Sequence, residues 1–289
     1  MRLIDAHVHL FPPELNADPA GWAAAHREPH WAALSTRRRR DGRPVQGFPP
    51  LPDLLHALDA AGIERAVLQG WYWENHDSCV RQNRFYADCV RAHPDRLAAF
   101  ATLHPAAGAA ALDEVRRVRD AGLVGLGELS PHAQRFAIDD PVWTAVLALA
   151  AELGLPVNLH VTDPASRPYP GRVETPLADF EWLARAHPRV TFLLAHWGGG
   201  LALTGLPNVL VDTAASPLLY GPEVWSRIGR EVPADRVLFG SDWPLELYPR
   251  TQPGAGVRPL VEEVRREVAD SGVREGVCSG NARRLFGWP

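Results

Sequence analysis

Two histidines separated by one residue, His7 and His9, stand near the start of the chain in the run IDAHVHLF, Ile4 to Phe11. Residues two apart on a strand face the same way, so both imidazoles can reach one ion. Further along, Glu128, His160, His196 and Asp242 each stand at or near the end of a short apolar run. Each signal is weak alone, because 12 histidines make one His-x-His pair unremarkable. The ordered combination is far more specific. Imidazoles and carboxylates without thiolates suit Zn²⁺ best, with Mn²⁺, Co²⁺, Ni²⁺ or Fe²⁺ as alternatives. Such a set exceeds the roughly three protein ligands of a single catalytic zinc. It suits two ions about 3.5–4 Å apart with a carboxylate between them. Glu128 either bridges such a pair or sits behind an imidazole and orients it.

These side chains converge only if the apolar runs close on themselves. The runs cover 3–7, 65–69, 97–103, 123–129, 156–161, 190–196, 208–213 and 236–242. They are nearly continuously apolar rather than alternating, as parallel strands covered on both faces are. Helical stretches lie between them, over 53–61, 78–92, 110–121, 141–153, 176–186, 222–229 and 257–269, with a terminal turn at 281–286. The glycine-rich link 198–206 is too short for a dependable helix. Eight strand–helix units predict an α/β chain of the (β/α)8 type, a TIM barrel, with 1–289 as one domain. A doubly wound sheet is the alternative, but no Gly-x-Gly-x-x-Gly opens the first unit. The carboxyl ends of the strands are where a barrel carries its chemistry.

The connection 11–50 is the outlier, being long, rich in proline and bearing Arg37, Arg38, Arg39 and Arg40 in a row. It reads either as a solvated insertion or as a lid over the barrel mouth. Trp71, Trp73, Trp197 and Trp243 adjoin strand ends and form a candidate substrate-binding wall, with Tyr72 between the first two. Glu74, Asn75, His132 and Arg135 are candidate polar anchors. His93 and His187 precede prolines after helices and read as structural, whereas His104 follows the third strand and reads either way.

Composition narrows the classes. The net charge of −4 argues against a general nucleic-acid binder. No apolar run approaches the ~20 residues of a membrane span, and Met1 to Leu10 lacks the pattern of a signal peptide. Cys79, Cys89 and Cys278 are too few and scattered for a disulfide framework, so a reduced, cytoplasmic setting is expected. There is no lysine at all, which removes Schiff-base chemistry and any carbamylated lysine. The expected partner is a small-molecule substrate; a homo-oligomer is left open.

The motifs IDAHVHLF, AHPDRLAAFATLHP, VNLHVTD, LLAHWGGG, FGSDWP and GNARRLFG run from one end of the chain to the other. Together they resemble the amidohydrolase superfamily, in its amidohydrolase-2 group of TIM-barrel metal-dependent hydrolases. The resemblance implies that His7, His9 and Asp242 bind the more buried metal and that His160 and His196 bind a second. It implies catalytic roles for Asp242 as general acid–base and, in one-metal relatives, for His196. Many two-metal relatives bridge through a carbamylated lysine; here Glu128 takes that place, as in the TatD-like branch. The implied reaction is attack by a metal-activated water on a C–O or C–N bond of a lactone, ester or amide. The alternative is a one-metal decarboxylase or hydratase acting on an unsaturated or aromatic acid. A non-catalytic binding barrel and a TatD-like nuclease complete the field.

Overall fold

The computed structural model describes residues 3–246 and 256–289. Eight strands alternate with helices: β1 (Leu3–Val8), β2 (Ile63–Leu68), β3 (Leu97–Ala101), β4 (Gly125–Leu129), β5 (Val157–Leu159), β6 (Phe192–Leu194), β7 (Val209–Asp212) and β8 (Val237–Leu238). Each pairs in parallel with the next. The seam between the last and first strands is laced by Ala6 N–H to Phe239 O at 2.8 Å and Asp242 N–H to His7 O at 2.9 Å. A parallel bridge from Val8 to Trp243 continues it. The result is the expected (β/α)8 barrel, its strands apolar because both faces are covered.

Three short helices, α1 (Pro13–Ala17), α2 (Pro19–His26) and α3 (Pro29–Ser35), follow β1. The outer layer then begins with α4 (Leu51–Ala61), α5 (His76–Ala92) and α6 (Ala109–Asp120). After the single turn α7 (Pro131–Gln134) come α8 (Pro141–Leu153), α9 (Leu177–Ala186) and the short α10 (Ser216–Tyr220). The chain closes with α11 (Arg258–Glu267), α12 (Ser271–Glu275) and α13 (Asn281–Phe286). The start of α8 shows how local sequence sets these ends. Asp140 Oδ1 accepts from the N–H groups of Val142 and Trp143, and Pro141 fills the first helical position, where no N–H is needed. Its inner face, Trp143, Val146, Leu147 and Ala150, is fully buried in the core.

One expected helix differs, and the doubtful one is absent as a regular helix. Residues 222–227 form a tighter 3₁₀ helix between Gly221 and an extended Ile228. The 198–206 link starts with a turn in which Trp197, Gly198 and Gly199 all take left-handed backbone angles, which no α-helix tolerates. No helix among the described residues is long and apolar enough to cross a membrane. Cys79 and Cys89 share α5, and all three cysteines are buried and unpaired.

The long connection after β1 is packed rather than loose. Phe11, Leu15, Trp22 and Trp31 form a second hydrophobic cluster with Trp71 and Trp73. Within it the fully buried Glu28 accepts the N–H groups of Glu74 and Asn75 at 2.8 and 3.2 Å. Its second half is a hairpin, Arg39 N–H to Arg43 O at 2.8 Å, joined to the chain after β8 by a bridge from Gln46 to Leu245.

The amino end of the barrel depends on one missing side chain. Phe100 on β3 pairs with Gly125 on β4 and packs edge-on against Phe286 of α13. A Cβ on Gly125 would stand 2.5 Å from the Phe100 ring. Overpacking of this kind costs about 1–3 kcal/mol. Gly125→Ala should therefore lower the unfolding free energy by that amount, seen as a lower urea midpoint, with partial recovery in Gly125→Ala/Phe100→Leu. An unchanged midpoint in the single variant would show that the ring yields freely.

Candidate metal centre

The six ligand candidates lie together at the carboxyl ends of the strands. His7 is the penultimate residue of β1, and His9 follows its end. Their Nε2 atoms are 3.1 Å apart. Glu128 stands on β4, His160 follows β5, His196 follows β6 and Asp242 follows β8. Glu128 divides its carboxylate between the histidines. Its Oε2 is 3.8 Å from His9 Nε2, while its Oε1 lies 2.8 Å from His160 Nδ1 and 3.6 Å from His196 Nε2. Asp242 Oδ1 faces His9 Nε2 at 3.5 Å and His7 Nε2 at 3.9 Å. Two overlapping donor groups result, His7–His9–Glu128 and Glu128–His160–His196, each with its atoms within 4.8 Å of one another.

Hydrogen bonds behind the rings decide which nitrogens face inward. A carbonyl can only accept, so His9 Nδ1–H donates to Gln69 O at 3.1 Å and His196 Nδ1–H donates to Ala214 O at 2.9 Å. His7 Nδ1–H donates to Asp212 Oδ2 at 2.9 Å. All three turn Nε2 toward the centre. His160 is turned round, with Nδ1 toward Glu128 and Nε2 3.4 Å from the Thr162 hydroxyl. A set of oriented imidazoles around a shared carboxylate fits divalent cations well.

Asp212, the last residue of β7, was missed by sequence reasoning. It is fully buried. Its oxygens also accept from the backbone N–H of His196 at 3.2 Å and of Ala214 at 3.0 Å. The sequence signal for it was an acid ending the seventh apolar run, in NVLVDT. Asp5 is a second buried carboxylate, accepting from His7 N–H and Ser241 N–H at 3.1 and 3.0 Å and so joining β1 to the end of β8. Burial raises its pKa to about 7 against these bonds.

The charge balance favours a cation. Burial alone would push Glu128 upward, but His160, His7 and His196 hold its carboxyl far below the usual range. Burial likewise opposes ionisation of Asp242, and His9, His196 and His7 hold it down. Burial would keep His7 neutral, yet Asp212, then Glu128 and Asp242, raise it to about 10. The field that draws a proton there also draws a metal ion. Backbone strain accompanies the arrangement. His196 and Asp242 have φ of 58° and 62°, the left-handed region that costs about 1–2 kcal/mol for such residues.

Above the centre opens a cavity of about 760 Å³. Its floor carries His9, Glu128, His160, His196 and Asp242, and its roof is formed by residues of the 34–46 and 163–173 segments. Of the four tryptophans expected to form a substrate wall, only Trp71 lines this cavity, with its neighbour Tyr72. Trp73 is buried in the cap, its indole N–H donating to Gln82. Trp197 and Trp243 are buried in the barrel core. The reason is that the ring after each ligand points away from the mouth when the ligand points into it. Glu74, Asn75, His132 and Arg135 do not line the cavity either. Glu74 accepts from His30 N–H, Asn75 bonds the α2–α3 turn and His132 pairs with Asp179. His93 and His187 cap α5 and α9. His104 is structural, with Nε2–H donating to Gln134 O and Nδ1 accepting from Ala106 N–H. The thiol of Cys79 is pushed far up by burial, which leaves it a poor nucleophile.

The profile of the family described as Amidohydrolase matches residues 4–288. A 3′-5′ ssDNA/RNA exonuclease TatD of Cronobacter sakazakii is 26% identical over 268 residues, covering 81% of this chain and 90% of that protein. The TatD of Erwinia tasmaniensis is 28% identical over 236 residues, 68% of this chain and 81% of its own length. Among solved structures, 2,6-dihydroxybenzoate decarboxylase from Rhizobium superposes with a TM-score of 0.68 at 21% identity, over 99% of both chains. A putative 2-pyrone-4,6-dicarboxylic acid hydrolase from Pseudomonas putida gives 0.67 at 22% identity, over 99% of this chain and 97% of that one. At such identities the structures speak to the fold.

Two predictions follow from the hydrogen bonds. Asp212→Asn replaces the acceptor behind His7 with an amide and should weaken metal retention by about 10–100-fold. Dialysis against graded chelator checks this, and wild-type retention would remove Asp212 from the site. His104 has its pKa lowered, first by burial, and protonation would consume the Nδ1 lone pair that Ala106 N–H uses. Its folded pKa thus lies below the unfolded value of about 6.5. The stability it contributes is present above that pH and is lost as pH falls through the folded pKa. Between pH 7 and about 5 the wild type should lose more stability than His104→Gln, by urea midpoints at each pH. Equal losses would contradict this.

Proposed function

The chain belongs to the amidohydrolase family, and from that premise we propose that it is a metal-dependent hydrolase acting on a small organic molecule. Its substrate bond is a C–O or C–N bond of a lactone, ester or amide, and its centre is binuclear. The observation that carries this reading is the division of Glu128, one oxygen toward His9 and the other toward His160 and His196. His7, His9 and Asp242 would hold one cation, His160 and His196 the other, with Glu128 between them. The donor set suits Zn²⁺, with Mn²⁺, Co²⁺, Ni²⁺ or Fe²⁺ as alternatives. Bound there, the cations would acidify a water toward neutral pKa and polarise the substrate carbonyl.

The chain's own residues do the rest. Asp242 stays ionised, is 12% exposed at the side chain and lines the cavity. It takes the proton of the attacking water and passes it to the leaving oxygen or nitrogen, as a general acid–base. Asp212, Gln69 O and Ala214 O hold three imidazoles by Nδ1–H, so that Nε2 faces the centre and would be free for a cation that displaces the proton. Trp71 and Tyr72 supply apolar wall. A net charge of −4 and a roofed cavity support a small substrate over the single-stranded nucleic acid named for the TatD relatives.

One observation favours a second reading. The 2.8 Å contact from Glu128 to His160 is also the geometry of a carboxylate that merely orients an imidazole. A single cation and lyase chemistry, decarboxylation or hydration of an unsaturated or aromatic acid, would then apply. Elemental analysis of protein saturated with Zn²⁺ and dialysed separates the two. About two ions per chain, with a loss in Glu128→Ala and a fall in ester or lactone turnover of at least about 100-fold, is the expected result. About one ion in both proteins would overturn the binuclear reading.

A further inference from the structure

One side of the cavity is apolar and begins at the floor. Ala214, whose carbonyl receives His196 Nδ1–H, leads into α10 through Ala215, a residue with left-handed backbone. Ala215, Leu218 and Leu219 are spaced three and four apart, so they share one face of this short helix, and all three line the cavity. Leu219 is 38% exposed; Trp182 on α9 is the other exposed large hydrophobic among the described residues. A leucine exposed singly means little, but this one extends an apolar face that borders a cavity. Val161 and Ala165, from the chain after β5, line the same cavity.

The two walls are fastened together. The Tyr220 hydroxyl donates to the buried carboxylate of Asp163, whose other oxygen accepts from Ala165 N–H at 2.6 Å. The Arg227 guanidinium lies 4.5 Å from the centroid of the Tyr220 ring and covers its face. A helix of only five residues is thus pinned at its end, and Leu219 is held in water beside the cavity. We propose that Leu218 and Leu219 form a specificity rim that receives an alkyl or aryl group of the substrate beside the scissile bond. Such a group would cover Leu219 and lie between α10 and the loop after β5. Each methylene taken from water there strengthens binding by about 4-fold. This rests on the reading of the cavity as the substrate site and narrows its substrate class.

The test measures binding of acetohydroxamate and hexanohydroxamate, chelating probes that differ only in their tails, to Zn²⁺-loaded protein by calorimetry. Hexanohydroxamate should bind the wild type about 10- to 100-fold more tightly, the gain from burying two or three of its added methylenes. In Leu218→Ser/Leu219→Ser that ratio should fall below about 3-fold, with acetohydroxamate within about 2-fold of wild type. Leu219→Ser alone, a change at an exposed position, should give an intermediate ratio. A ratio near one in the wild type, or one unchanged in the double variant, would overturn the inference. Equal losses for both probes would do so too, because α10 would then only support the floor. So would failure of both probes to bind the wild type at about 10 mM. Counting ions in the same samples keeps this apart from the binuclear reading. A ratio that falls in the variants alongside about one ion per chain would leave the rim standing and remove the second cation.

Discussion

A buried carboxylate is stable only where donors or positive charge meet it. Three acids gather at the mouth of this barrel, Asp212 fully buried, Glu128 nearly so and Asp242 12% exposed at its side chain. Everything around them answers that requirement. Asp212 is met by two backbone N–H groups and by His7. Glu128 is met by imidazoles from the ends of three different strands. The surplus of negative charge over neutral imidazole is what makes the place suitable for divalent cations. Without them the same charge draws a proton to His7.

The barrel is shaped to that end. Its first and last strands meet through Asp242 N–H to His7 O and through Asp5, which accepts from both sides of the seam. This brings the His-x-His pair against Asp242, although they lie at opposite ends of the sequence. Left-handed backbone at His196 and Asp242 turns two ligands inward at a cost of about 1–2 kcal/mol each, a typical use of strain at a working site. Gly127 serves the same purpose more cheaply. Its φ is 143°, and a Cβ there would meet the Asn158 backbone oxygen at 2.6 Å, so only glycine lets β4 deliver Glu128 beside β5.

Over this floor the segment after β1 forms a roof in two parts. The first is a tryptophan-rich cluster tied down by Glu28. The second is the hairpin, and the loop after β5 is met beside it by His30 of α3, whose Nε2–H donates to Gly171 O at 2.9 Å, and by Arg37, which stacks on Tyr169. The polar contrast between floor and roof gives the cavity a direction, candidate metal donors at one end and the Arg37 to Arg40 run at the other.

The residues able to ligate were legible in the sequence, because ligand chemistry belongs to residue type and strand ends belong to local pattern. His7, His9, Glu128, His160, His196 and Asp242 could be picked out from apolar runs and two-residue spacing. The barrel was legible too, since eight buried parallel strands leave eight nearly unbroken apolar runs. What only the tertiary structure decided depends on contacts between distant residues. Asp212 meets His7 across 205 positions, and no local pattern marks that bond. Whether a tryptophan near a strand end lines the mouth or is buried depends on how the loop turns, and three of the four are buried away from the cavity. The inward face of an arginine run, and the tyrosine that holds it, were set by the packing of two loops that share no sequence signal.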